Sequence, residues 1–400
     1  MGKTRRVDLL YRAFGAEHVW LQLTVAALAI FALALLLTPL LGAVSHRFGI
    51  LSPGDRERDT RPDRVPLLGG VAFFLAFMIG MALFEPLTGN RRDSLSGVSI
   101  NTGNLMLQLH GLLLGATVAV AIGVLDDLLN LRPAVHFLGQ IAAAAVALIG
   151  GFATVRGISN PLANHFFYAQ PEKHLQILLP LPMAGAFTLF WIVAMMNTVN
   201  FLDGLDGLAG GVVTIAAILL AIWSGRVHGQ GATTLTGSEV LVLPPLILAA
   251  ALIGFLVFNW APARIFMGDC GAQFAGFTLG ALAILGPAKI GTALLILAVP
   301  ILDIAWVFVR RPTKGGGFAS ADRGHLHHRL LDRGMSTRRI VLSFYAICAA
   351  LGAIDLVLTH TSKLIAFLVV TVATVVLLIR VTERTPGKPF LGRPVPPARR

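Results

Sequence analysis

The chain has 400 residues, of which 56% are hydrophobic and 13% charged, with a mean hydropathy of +0.77. A soluble domain of this size carries about 25% charged residues, so a soluble globular protein is excluded. The net charge of +12 would suggest nucleic acid in a soluble protein, but here it lies in loops between apolar runs and reads as membrane topology and attraction to anionic headgroups.

The apolar runs reach about 17–25 residues, enough for a helix to cross a ~30 Å hydrocarbon layer. They are continuous rather than alternating, which excludes a β-barrel. The expected fold is an all-α, polytopic membrane bundle of about 11 transmembrane helices. The opening MGKTRR resembles the charged region of a signal peptide. The run that follows, 19–44, is too long for a cleavable one and is expected to stay as the first span. The remaining spans are expected at 67–84, 107–125, 137–152, 176–196, 208–223, 240–258, 271–286, 289–309, 339–358 and 364–380. The eighth is the weakest and abuts the ninth through Gly286-Pro287-Ala288-Lys289. Cys270 lies beside a loop and Cys348 inside a span, so no disulfide framework is expected.

An odd number of spans puts the termini on opposite sides. One side holds 21 of the 32 Lys and Arg residues and is expected to be cytoplasmic, with the N-terminus outside. Lys3, Arg5 and Arg6 pull mildly the other way. Residues 1–380 read as one transmembrane catalytic domain, to which the loop 310–338 contributes. Residues 381–400 read as a disordered basic tail drawn to anionic lipid.

Four polar clusters fall on the expected cytoplasmic side. The first, DDLLNLRPAVHFLGQ (126–140), begins with Asp126 and Asp127 at the end of a span. Adjacent carboxylates repel unless a cation is near, and a helix C-terminus disfavours them; a solvated helix end is the plain alternative. The second, NTVNFLDGLDGLAGG (197–211), sets Asp203 and Asp206 on one helical face beside Asn197 and Asn200. Glycine-mediated packing explains its glycines but not its acids and amides. The third, NWAPARIFMGDCGAQ (259–273), holds Asp269 and Arg264, and a turn with an N-capping Asp accounts for it alone. The fourth is the long loop with His325, His327, His328 and Arg329. No cysteine or carboxylate completes a zinc set there, so a cationic cradle for phosphate fits better, against the alternative of a solvated basic loop. Together these clusters offer hard oxygens for Mg²⁺ and cations for a diphosphate, the parts of phosphoryl transfer at a membrane surface.

The motifs DDxxxL, FxGQ, NxxNxxDGLDGL, FxGDxG and HxHHRL, with VPLLGG at 65–70 and PILDIAWVFVRR at 300–311, resemble those of the polyprenyl-phosphate N-acetylhexosamine-1-phosphate transferases over roughly residues 60–345. The HLHHRL form is similar to the branch that uses UDP-GlcNAc rather than the branch acting on UDP-MurNAc-pentapeptide. The resemblance implies transfer of GlcNAc-1-phosphate from UDP-GlcNAc to undecaprenyl or decaprenyl phosphate, with Mg²⁺ (or Mn²⁺) as cofactor. UMP is released, and a lipid-linked cell-envelope polysaccharide such as lipopolysaccharide or teichoic acid is begun. It implies a bacterial inner-membrane enzyme with a cytoplasmic active site, able to form a homodimer, with no nucleic-acid partner. By residue, it places Asp126 and Asp127 at the lipid phosphate as catalytic groups, and Asp269 and Asn200 on the metal. Asp203, Asp206, Arg264, His325, His327, His328 and Arg329 are placed at the nucleotide sugar or its diphosphate. His136 falls at the lipid phosphate where the family usually has Lys, so His136→Lys is expected to keep or raise activity. The motif GDCGA also lacks the hydroxyls usual at positions 270 and 272.

Two rivals remain from the residues. A CDP-alcohol phosphotransferase needs further spaced acids, and after Asp206 none occurs until Glu239. A secondary transporter needs acids near mid-bilayer, where only Asp303 and Asp355 stand.

Overall fold

A computed structural model describes residues 19–52, 64–84, 102–155, 157–159, 176–226, 241–285, 289–310, 325–358 and 360–383. Its helices are α1 (Val19–Arg47), α2 (Gly69–Phe84), α3 (Thr102–Leu129), α4 (Pro133–Ile149), α5 (Leu181–Leu202), α6 (Leu208–Arg226), α7 (Leu243–Asn259), α8 (Gly268–Leu285), α9 (Lys289–Ile296), α10 (Ala298–Arg310), α11 (Leu326–Asp332), α12 (Thr337–Asp355) and α13 (His360–Glu383). Two strands, β1 (Gly157–Ser159) and β2 (Gln176–Leu178), pair antiparallel. They qualify the all-α expectation and take the first residues of the span expected at 176–196. That helix starts instead at Leu181, where Pro180 and Pro182 fit only a first turn.

Seven described helices are long and apolar enough to cross a membrane, or eight if α9 and α10 count as one bent span. The chain is therefore a multi-pass helical membrane protein. Three expected spans are the shorter apolar helices α2, α4 and α7, of 16 or 17 residues. Each is about 25 Å long at 1.5 Å per residue, short of a ~30 Å core. The expected single span 289–309 is broken, α9 and α10 meeting at 76°. Pro300 explains the break, because it has no N–H to offer Ile296 and its ring crowds that carbonyl. The first three residues of the expected tail, 381–383, belong to α13, which runs to Glu383, and residues 384–400 lie outside the described part.

The weakest expected span is the most enclosed helix. α8 is buried along nearly its whole length and packs on α2, α3 and α5. Its low hydropathy comes from Asp269, Gln273 and its glycines, and small residues such as Gly271, Ala272, Gly276 and Gly280 admit neighbouring backbones. A Cβ at Gly123 of α3 would stand 2.3 Å from Cys270 Cα, so only glycine lets the two helices meet there. Below that contact, Phe274 gathers Phe73, Phe74 and Phe77, with ring centroids 5.2–5.6 Å away.

Asp355, at the end of α12, is fully buried. It accepts hydrogen bonds from Trp223 Nε1 at 2.7 Å and Thr292 Oγ1 at 2.9 Å, and pairs with Lys363 Nζ at 2.8 Å. The Lys363 ammonium also lies 4.3 Å from the Trp223 ring centroid. This cluster ties α6, α9, α12 and α13 at one end of the bundle. Asp355→Ala, which leaves the Lys363 charge without its partner, is expected to destabilise the protein by about 3–5 kcal/mol. A melting curve in detergent measures it, and an unchanged curve would show the pair to be dispensable.

Candidate active site

The polar clusters meet at the opposite end of the bundle. α3 ends at Leu129, and Asn130, at φ 49°, reverses the chain into α4. Pro133 opens that helix one turn earlier than expected, which sets His136 beside Asp126. The His136 Nδ1 to Asp126 Oδ2 distance is 2.7 Å, and the Leu131 N–H donates to Asp126 Oδ1 at 2.7 Å.

Asp127 faces α8. Its carboxylate accepts the Asp269 N–H at 2.8 Å and the Cys270 N–H at 3.0 Å. These are among the amides that a helix leaves unpaired at its start, and the helix dipole favours an anion there. The negative charge that is unfavourable at the end of α3 is thus balanced by the start of α8. Asp269, carried on the same first turn, accepts a hydrogen bond from Asn200 Nδ2 at 2.6 Å. Asp127, Asp269 and Asn200, from three helices, therefore form one contact group.

Asp203 caps the end of α5, and Asp206 follows in the turn into α6. Asp206 Oδ2 accepts the Ala263 N–H at 2.8 Å, so it holds the segment 260–267 that leads to Asp269. Asn259 steadies the same turn, accepting the Gly207 N–H at 3.0 Å and donating to Ile265 O at 2.9 Å. Arg338 donates to Ala261 O through Nε at 3.0 Å and Nη2 at 2.8 Å, and the Tyr345 hydroxyl donates to Gly207 O. Arg264 belongs to this segment, and its side chain is exposed.

The histidine row sits on α11 and docks on the same turn. A Cβ at Gly204 would come within 2.2 Å of His327 Nε2, so the ring lies against the glycine. The His325 and His327 rings stack at 5.7 Å and 9°, and His328 lies 4.3 Å from His327. Arg329 is in the same short helix. Asp303, deep in α10, anchors the row by accepting the Leu326 N–H at 2.8 Å and facing His325 Nδ1 at 3.2 Å. Residues 311–324 lie outside the described part. Gly204→Ala is expected to push His327 away and lower turnover about 10–100-fold, as displaced positioning groups do. The kinetics of that variant check it, and unaltered kinetics would show that His327 need not rest there.

Asn259, Asp303, Gln140 and Gln273 were not among the residues expected at the site. For Gln140, Asp303 and Gln273 the signal is present, as polar residues within apolar spans. Asn259 gave none, as a single amide at a helix end.

The group fits a divalent cation by its chemistry. Asp269 offers a carboxylate, and Asn200, whose Nδ2 donates to it, keeps its amide oxygen as a second hard ligand of the kind that suits Mg²⁺. Among the described residues no cluster of three His, Cys, Asp or Glu side chains forms a complete protein cage. Mg²⁺ is ordinarily held by one or two carboxylates together with substrate phosphates.

Residues 109–287 match the model of "Glycosyl transferase family 4". The chain is 30% identical over 335 residues to a Bacillus subtilis protein named as a probable undecaprenyl-phosphate N-acetylglucosaminyl 1-phosphate transferase, covering 82% of each chain. It is 33% identical over 405 residues to the decaprenyl-phosphate N-acetylglucosaminephosphotransferase of Mycobacterium tuberculosis, covering 93% of this chain and 92% of that one. A phospho-N-acetylmuramoyl-pentapeptide-transferase of Mycobacterium avium is 30% identical over 359 residues, 82% of this chain and 94% of the other.

Proposed function

The chain belongs to glycosyl transferase family 4, the polyprenyl-phosphate N-acetylhexosamine-1-phosphate transferases, and from that premise we propose that it transfers GlcNAc-1-phosphate from UDP-GlcNAc to a polyprenyl phosphate and releases UMP. The observation that carries this reading is the contact group of Asp127, Asp269 and Asn200 beside a turn on which the histidine row rests. The relatives named for GlcNAc transfer are matched over as much of the chain as the one named for the muramoyl-pentapeptide, or more, and the HLHHRL motif favours the same branch.

In this reading one oxygen of the lipid phosphate attacks the β-phosphorus of the sugar nucleotide. The bond from that phosphorus to the bridging oxygen breaks, and UMP carries the oxygen away. Asp126 and Asp127 stand at the lipid phosphate, where one of them accepts its proton. Asp269 and the Asn200 amide oxygen would hold Mg²⁺, which would supply positive charge against the diphosphate. His325, His327, His328, Arg329 and Arg264 face the diphosphate and sugar, and Asp203 lies on the nucleotide side. Asp206 works through the segment 260–267 that it holds. Both acids that a transporter would need are already engaged, Asp303 with His325 and Asp355 with Lys363.

Eleven spans, an outer N-terminus and a cytoplasmic active site in a bacterial inner membrane complete the proposal, on the count of 21 basic residues against 11. Incubating the purified protein with a panel of UDP-sugars, polyprenyl phosphate and Mg²⁺, and weighing the lipid product, tests it. A polyprenyl-diphospho-GlcNAc is expected; a muramoyl-pentapeptide product, or none, would overturn the assignment.

A further inference from the structure

Five polar side chains from four helices run from the interior of the bundle to Asp126. Asn197 Nδ2 lies 2.8 Å from the Val193 carbonyl and 2.7 Å from Gln140 Oε1. A backbone carbonyl only accepts, so the Asn197 amide nitrogen must face it, and Gln140 must then present its oxygen. The Gln140 amide nitrogen donates to Gln273 Oε1 at 3.1 Å. Gln273 Nε2 is left against His136 Nε2 at 2.8 Å, and an amide nitrogen only donates. His136 Nε2 is therefore an acceptor, and Nδ1 carries the ring proton toward Asp126 Oδ2 at 2.7 Å. Each link is forced by the one before it, and the last atom, a carboxylate oxygen, accepts as the direction requires. Gln140 and Gln273 are 1% and 0% exposed, so water does not take over any of the inner links. A ring that accepts at one nitrogen and donates at the other carries a single proton and no charge, which is a poor anchor for a phosphate.

We propose that His136 is a positioning residue for Asp126 rather than a ligand of the lipid phosphate, its orientation set by Gln273, Gln140 and Asn197. The inference rests on the placing of Asp126 at the reacting phosphate. It reverses the expectation for His136→Lys. An ammonium can only donate, so it would oppose the Gln273 amide nitrogen. The uncharged variant His136→Gln keeps a donor for Asp126 and an acceptor for Gln273.

The test compares His136→Lys, His136→Gln and Gln273→Met with the unaltered enzyme, each first shown to keep its melting temperature. His136→Gln is expected to stay within about 5-fold in kcat. His136→Lys and Gln273→Met are expected to lose about 10–100-fold in kcat, the usual cost of losing a side chain that orients a working group. KM for polyprenyl phosphate is expected to change little in all three. The opposite pattern, with Lys active and Gln raising KM for the lipid phosphate, would overturn the proposal. Nitrogen-15 NMR of histidine-labelled protein, assigned by difference against His136→Gln, gives a readout that needs no turnover. One protonated and one bare ring nitrogen are expected, and a doubly protonated ring overturns the assignment. Should the unaltered protein form no lipid product from any UDP-sugar, the transferase reading fails, while the NMR result still decides the state of His136.

Discussion

Asp269→Asn is expected to reduce Mg²⁺-dependent release of UMP from UDP-GlcNAc by on the order of 10³-fold, the scale on which a preorganised charge-stabilising group acts. The fold has little reason to change. Asparagine keeps an oxygen for Asn200 Nδ2, and the backbone N–H of residue 269 still donates to Asp127. What disappears is the negative charge that would hold the cation against the diphosphate. The measurement pairs a UMP-release assay across Mg²⁺ concentrations with a melting curve in detergent. Near-normal turnover would remove Asp269 from the metal site. Lost turnover with a collapsed melting curve would show the residue to be structural.

Asp127→Asn is expected to cost both rate and stability. The native carboxylate meets two backbone donors, one on each oxygen. Asparagine offers one oxygen and one NH₂ group, so one N–H at the start of α8 faces another donor. An amide left unpaired there costs about 1–3 kcal/mol, and the lost charge removes the match to the helix dipole. Turnover is expected to fall by on the order of 10³-fold as well, because Asp269 sits on the turn that shifts. Residues that act as a unit are not additive. The variant carrying both changes is therefore expected to be no slower than the slower single one. Melting curves and UMP release of the two single variants and the double variant decide it. A dead Asp127→Asn with an unchanged melting curve would confine Asp127 to the substrate, and multiplied losses would separate the two acids.

Much of this was readable from composition and pattern. The membrane class followed from hydropathy, and the order of polar clusters pointed to the residues that meet at one end of the bundle. What the sequence concealed had physical causes. A run of apolar residues marks that a helix exists but not how its length compares with the bilayer, so the sequence does not set α2, α4 and α7, of 16 or 17 residues, apart from the longer helices. A proline within an apolar run stops the hydrogen-bond ladder without interrupting the hydropathy, so the break before Pro300 was read through. At the site, residue type does not reveal that Asp206 also accepts the Ala263 N–H, because that segment lies far away in sequence. His136 has two protein partners rather than an open side, because Gln273, distant in sequence, arrives from another helix.

The enclosure of α8 bears on how the protein is made. That helix is the least apolar of the seven single-helix spans among the described residues, because Asp269, Gln273 and its glycines weaken its preference for lipid. Helices synthesised before it, α3 and α5 among them, provide the surfaces that receive it. Asp269 rides on its first turn. A ribosome-bound, half-finished chain thus lacks the acid that would hold the metal, and competence for chemistry arrives with completion of the bundle.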